Sequence, residues 1–214
     1  MKREPFVLKL KPGMKAEYKR RHDEIWPEML TVLEHQGSSN YSIWAIDDFL
    51  FGYREIVHEP CLTKEDMDTI ARWNEYMKDC YEPFADANDM QLMYSDIGIV
   101  REDKSLIRHR VFCTHLKPGC AAEYKRRHDE LAASRGGVVS EGPESNFTIW
   151  RAKDYIFGYC ELVKSFDHEE TAEEHAATVA WETRGLEIMD WVTDDVDWLT
   201  GEKHVHPELM FTFH

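Results

Sequence analysis

From Met14 to Leu33 the apolar and aromatic side chains recur at spacings of three and four: Met14, Tyr18, His22, Ile25, Met29 and Leu33. That period places them on one stripe of a helix and turns Lys15, Lys19 and Arg20 outward. Gly37-Ser38 ends the helix. Ahead of it, Phe6–Leu10 is a short β-prone run stopped by Pro12-Gly13. Behind it the period changes. Tyr41–Ile46 and Phe49–Val57 read as two strands of a hairpin that turns at Asp47-Asp48, Lys64–Asp79 as a second amphipathic helix, and Gln91–Val100 as a last strand. The predicted order is βαββαβ. One sheet with two helices on one face is a ferredoxin-like α+β unit.

The pattern then starts again. AEYKRRHDE stands at Ala16–Glu24 and, 106 residues on, at Ala122–Glu130. The same offset aligns Lys11-Pro12-Gly13 with Lys117-Pro118-Gly119, Ser39-Asn40-Tyr41 with Ser145-Asn146-Phe147, Ile43-Trp44 with Ile149-Trp150, and Phe51-Gly52-Tyr53 with Phe157-Gly158-Tyr159. After a two-residue insertion Trp73 aligns with Trp181. A period of this length is a small domain and not a solenoid repeat. The chain is therefore expected to hold two tandem copies, residues 1–103 and a diverged 104–214, joined near the charged stretch Arg101–Ser105. A ferredoxin-like unit leaves one sheet face to be covered. The expectation is that the two copies pack sheet to sheet, as a pseudo-dimer closed within one chain.

Charge narrows the partners. The formal net charge is −15, which argues against nucleic acid or an anionic membrane as the main partner. No apolar run approaches the roughly 18 residues that span a bilayer. The opening MKREPFVLKLKPG is too short in its apolar part for a signal peptide, and Lys9 interrupts it. Cys61, Cys80, Cys113, Cys120 and Cys160 are odd in number and form no CxxC pair, so reduced thiols in a cytoplasm are the expectation. The triplets at Asn40 and Asn146 fall inside predicted strands and are read as products of the repeat, not as glycan acceptors.

Candidate chemistry lies on the first helix. Tyr18 and His22 are four residues apart, hence neighbours on the inward stripe. Histidine titrates near neutrality, and both residue types exchange protons with oxygen. A core histidine bonded to a neighbouring tyrosine is the plain alternative. Two features favour a site. Trp26, Tyr41, Trp44 and Trp73 are available to stack on a sugar face. The Tyr/His pair also recurs as Tyr124 and His128, whereas Ile25–Met29 has become Leu131–Arg135. His204, His206 and His214 allow a metal site, but His-x-His pairs are mostly surface coincidences, and no metal is expected. There is no phosphate-binding glycine loop, serine nucleophile motif or zinc-finger spacing.

EYKRRHDEIWPEM at Glu17–Met29, together with SNY ending at Tyr41 and RWNEYM at Arg72–Met77, resembles the L-rhamnose mutarotase family. The first copy matches over almost its whole length and the second more weakly. The resemblance implies small dimeric α+β barrels without a cofactor that interconvert the α and β anomers of L-rhamnose, a monosaccharide. It implies His22 as catalytic proton donor, with Tyr18 and Tyr41 on the sugar. A substrate-binding Trp-Trp pair of the family falls on Trp73 and Asn74, so one wall is altered and a related 6-deoxy sugar also fits. In the second copy Tyr124, His128 and Trp181 match, while Phe147 and Glu182 depart, which implies a weak or inactive site. Two alternatives stand beside the mutarotase reading: a non-catalytic sugar-binding or regulatory module, and another barrel enzyme, such as a small monooxygenase-like one acting on a hydrophobic substrate.

Overall fold

The structure, a computed structural model, describes residues 1–214. The first copy supplies β1 (Lys2–Leu10), α1 (Lys15–Asp23), α2 (Pro27–His35), β2 (Ser38–Ile46), β3 (Phe49–Ile56), α3 (Lys64–Met77), β4 (Tyr81–Ala85) and β5 (Gln91–Gly98). The second supplies β6 (Ile107–Leu116), α4 (Ala121–Ser134), β7 (Glu144–Ala152), β8 (Tyr155–Val163), α5 (Ala172–Gly185), β9 (Met189–Trp191), a one-turn α6 (Asp197–Thr200) and β10 (Glu208–Phe213). No helix is long and apolar enough to cross a membrane.

The helix expected to run from Met14 to Leu33 is two helices. Proline disfavours helical backbone in the residue before it, and Trp26 is extended (φ −65°, ψ 137°), with Pro27 opening α2. In the second copy Ala133 stands where the proline would be, and α4 runs unbroken to Ser134 before Gly136 and Gly137, both at positive φ. The helices α3 and α5 start as their sequences direct. Thr63 and Asp66 form a reciprocal capping box, as do Thr171 and Glu174. Strands β4 and β9 are not expected from the sequence pattern.

Ten strands form two antiparallel five-stranded sheets, ordered β10-β2-β3-β1-β4 and β5-β7-β8-β6-β9. This is the ferredoxin-like α+β plan, twice over, with an exchange. The last strand of each copy pairs in the sheet of the other: β5 lies against β7, and β10 against β2. The two compact units are accordingly Met1–Met90 with Pro207–His214 (unit 1) and Gln91–His206 (unit 2). They differ from the sequence copies by one strand each.

Repeated residues mark where backbone geometry repeats. Asn40 and Asn146 sit at φ 45° and 51°, each where the register of β2 or β7 shifts against its hairpin partner. Both are buried, which takes their side chains out of reach of glycosylation. Gly52 and Gly158 lie opposite Phe6 and Phe112, and a Cβ at either would be built into the facing ring. Gly52→Ala and Gly158→Ala are each expected to cost about 1–3 kcal/mol through forced repacking. Urea denaturation of the variants checks this, and a midpoint unchanged in either would contradict it.

In unit 1 the core under the helices gathers Tyr18, Val32, Leu33, Ile43, Leu50, Met77 and others. Unit 2 repeats it with Tyr124, Ile149, Ile156, Leu116 and Ile188. The second arginine of KRRHD fixes the helix that carries the histidine. Arg21 donates to Glu17 (2.7 Å), Asp79 (2.6 Å) and the Tyr76 carbonyl. Arg127 repeats this with Glu123 (2.7 Å), Glu187 (2.8 Å) and the Arg184 carbonyl. Part of the nine-residue identity is therefore structural: it locks α1 to the end of α3, and α4 to the end of α5.

Candidate active sites in the two units

The stripe of α1 turns Tyr18 and His22 inward, and both are buried. Their rings stack with centroids 4.2 Å apart. Trp73 from α3 meets the His22 ring edge-on at 5.5 Å, and Phe211 from β10 does so at 5.3 Å. Tyr41 on β2 packs on Phe211 at 5.5 Å, and Tyr81 from β4 on Tyr18 at 6.1 Å. Elements from both ends of the chain thus bring His22, Tyr18, Tyr41 and Trp73 into one aromatic cluster. Asn74, next along α3, is exposed and is not drawn into it. Trp26, set by the proline break, closes one side against Trp73 (5.2 Å) and Tyr76 (5.4 Å), with the Arg72 guanidinium 5.3 Å from its ring.

Hydrogen bonding fixes the state of His22. Its Nδ1 lies 3.1 Å from the Tyr18 carbonyl oxygen, which can only accept. Nδ1 therefore carries the proton, and in the neutral ring Nε2 keeps its lone pair. Burial lowers the His22 pKa to about 4, against a smaller opposing effect from that bond, so the ring is neutral at physiological pH. Burial also pushes Tyr18 well above its ordinary value, with Tyr41 and Tyr81 adding to the rise, and takes Tyr41 to about 12. The site therefore offers one imidazole nitrogen with its lone pair uncommitted to a proton, beside neutral phenols.

Unit 2 repeats the frame with other surroundings. Tyr124 and His128 stack at 4.2 Å, Trp181 stands 5.6 Å from His128, and His128 Nδ1 lies 3.0 Å from the Tyr124 carbonyl. Burial lowers the His128 pKa as well. The wall is open, however. Ala132 replaces Trp26 and Arg184 replaces Tyr76, so Trp181 is 36% exposed where Trp73 is 9%. A cavity of about 430 Å³ results, lined by His128, Tyr94, Phe147, Trp181, Glu182 and Trp191 among others. Glu182 accepts from the Trp191 indole at 3.2 Å. Burial raises its carboxyl above the ordinary range, opposed by that bond and by the charge of Arg110. Arg110 is itself paired with Asp195 at 3.0 Å.

Sequence reasoning missed Phe211, Tyr81 and Tyr94. Phe211 and Tyr94 arrive on the exchanged strands, and no local pattern announces their destination. The repeat alone could have linked them: Phe211 pairs with Ile43 and Tyr94 with Ile149, which are aligned positions. The C-terminal histidines serve separate contacts. His206 reaches Asp194 (2.6 Å) and His204 reaches Thr200 (3.3 Å).

A family model described as L-rhamnose mutarotase matches the chain twice, over residues 3–95 and 109–212. L-Rhamnose mutarotase of Tolumonas auensis is 37% identical over 100 residues, which are 45% of this chain and 96% of that protein. The one from Bacteroides thetaiotaomicron is 34% identical over 102 residues, again 45% and 96%. Each relative is thus about as long as one copy. A crystal structure of L-rhamnose mutarotase from Formosa agariphila shares 32% identity over 38% of this chain and 80% of that one, with a TM-score of 0.32.

Proposed function

The chain belongs to the L-rhamnose mutarotase family, isomerases that interconvert sugar anomers, and we propose on that premise that its mutarotase site is the aromatic cluster of unit 1, with His22 as proton shuttle. The observation that carries the assignment is the His22 ring itself, anchored by Nδ1–H to a backbone carbonyl and basic at Nε2 among aromatic side chains.

The chemistry follows from those groups. His22 Nε2 takes the proton of the anomeric hydroxyl, and its O–H electron pair becomes the second C1–O1 bond. The C1–O5 bond breaks onto the ring oxygen, which receives a proton from the imidazolium so formed or through a neighbouring phenol. The open-chain aldehyde turns about C1–C2, O5 adds to the other carbonyl face, and the protons return by the same route. Atoms and oxidation state are unchanged. Tyr18 and Tyr41, held neutral by burial, donate hydrogen bonds to sugar oxygens, and Trp73 supplies an apolar face. Lost backing from Trp26 and the Phe147 replacement make unit 2 the weaker partner in this reaction.

Saturation-transfer NMR on L-rhamnose tests the proposal. Exchange between the two anomeric proton signals is expected to accelerate well above the buffer rate at pH 7. A rate equal to that of buffer would leave a binding module as the better reading.

A further inference from the structure

Unit 2 keeps the frame of Tyr124, His128 and Trp181 and changes the wall beside it. Where unit 1 has Ile70, Asn74, Tyr76 and Phe211, unit 2 has Thr178, Glu182, Arg184 and Tyr94, all of them lining its cavity. The phenol lost at Phe147 returns from the adjoining strand. Tyr94 packs on Phe147 at 5.5 Å and on His128 at 5.5 Å, as Phe211 packs on Tyr41 and His22 in unit 1. Tyr and Phe have changed places across one contact. Tyr94 is 5% exposed, and its hydroxyl has no hydrogen-bond partner within the protein. An unsatisfied buried hydroxyl destabilises a fold unless a ligand answers it.

We propose that the unit 2 cavity is a second sugar site that takes a neutral, fully hydroxylated hexose and not a 6-deoxy sugar, with Tyr94 and Glu182 reading the additional hydroxyls. This rests on the reading of unit 1 as a deoxy-sugar site. The space suits such a ligand: about 430 Å³ lies within the range of about 300–1,000 Å³ typical of small-molecule sites. Aromatic faces remain for the C–H surface of the ring in Trp181, Trp191 and Phe147. Thr178 and Tyr94 bring hydroxyls where unit 1 has Ile70 and Phe211, and Glu182 brings a carboxyl where it has Asn74. A carboxyl accepts from hydroxyls, a phenol donates or accepts, and His128 Nε2 accepts, its Nδ1 being engaged with the Tyr124 carbonyl. Charge selects further. Of the lining arginines, Arg110, Arg127 and Arg135 are each held by carboxylates outside the lining, Asp195, Glu123 with Glu187, and Asp96, so no cluster of free cations stands ready for a sugar acid and a neutral polyol fits.

Isothermal titration of the full chain with L-mannose, D-glucose and D-galactose, beside L-rhamnose, tests this. L-Mannose is L-rhamnose with the C6 hydroxyl restored. At least one hexose is expected to bind, and to bind equally well to His22→Ala. Tyr94→Phe is expected to weaken that binding about five- to tenfold, the worth of one hydrogen bond. The substitution installs the residue unit 1 uses at this place, and removing an unbonded hydroxyl should not lower the melting temperature, so a folding failure is not confounded with a binding loss. Glu182→Asn, likewise the unit 1 residue, is a second variant with the same expected sign. The proposal is overturned if none of the hexoses binds, if binding disappears in His22→Ala, or if Tyr94→Phe and Glu182→Asn bind as the wild type does. Rhamnose exchange measured on the same preparation is independent. Its absence would sink the reading of unit 1 while the hexose titration stood.

Discussion

His22→Ala is expected to reduce L-rhamnose anomer exchange by about 10²–10⁴-fold, the usual contribution of one general acid–base group, while His128→Ala leaves most of the rate. The two imidazoles are nearly equivalent locally. Each is buried, stacks on its tyrosine at 4.2 Å and is anchored through Nδ1 to the carbonyl four residues earlier. The proton chemistry alone therefore does not separate the units. What differs is the wall beside them: Tyr41, Phe211, Trp26 and Tyr76 in one, Phe147, Tyr94, Ala132 and Arg184 in the other. Proton transfer is sensitive to small misplacements of the reacting oxygen, so a wall built of other side chains is expected to lower the rate even with the base intact. Saturation transfer on both variants, with circular dichroism to confirm folding, decides it. Equal losses would mean two working rhamnose sites, and full activity in His22→Ala would remove the mechanism.

Much of this is legible along the chain because local rules and the tertiary result agree there. The hairpin at Asp47-Asp48 and the inward Tyr18/His22 pair follow from patterns within a dozen residues, and the duplication from a nine-residue identity repeated at an offset of 106. The first helix reads as one because its stripe continues in phase across Pro27, although the proline itself is the signal for a break. Strand β4 escapes notice since Glu82 and Pro83 hide it, and a short edge strand tolerates both.

The destination of β5 and β10 is out of reach for a different reason. Each strand has the right composition for its own copy's sheet, and pairing with the other copy's sheet presents the same backbone donors and acceptors. Only the assembled topology distinguishes the two. The site suffers directly from this. The residue facing each histidine across the cluster, Phe211 or Tyr94, belongs to the strand whose partner cannot be foreseen. The contrast between the units, which separates the two proposed ligands, is therefore only half visible from Tyr41 and Phe147.

Acidification supplies the other large effect. A histidine whose folded pKa is about 4 and whose unfolded value is near 6.5 leaves stability untouched above pH 6.5, where both states are neutral. As pH falls from 6.5 toward 4, the unfolded chain binds a proton that the buried ring refuses, and stability is lost. The loss from His22 accumulates to about 3 kcal/mol by pH 4, because each pH step between the two values costs about 1.4 kcal/mol. His128, lowered by the same burial, acts in the same direction. Glu182 and Asp195 are raised by burial and act oppositely, since the folded state holds their protons more tightly. The clean quantity is therefore the difference between wild type and His22→Leu, which keeps an apolar side chain in the cluster and cannot titrate. Urea denaturation of both at intervals from pH 7 to pH 4 should show the wild type falling relative to the variant by about 3 kcal/mol, with most of the change below pH 6.5. A constant difference across that range would mean that the His22 ring takes up its proton as readily when folded as when unfolded, and that burial does not hold it neutral in the site.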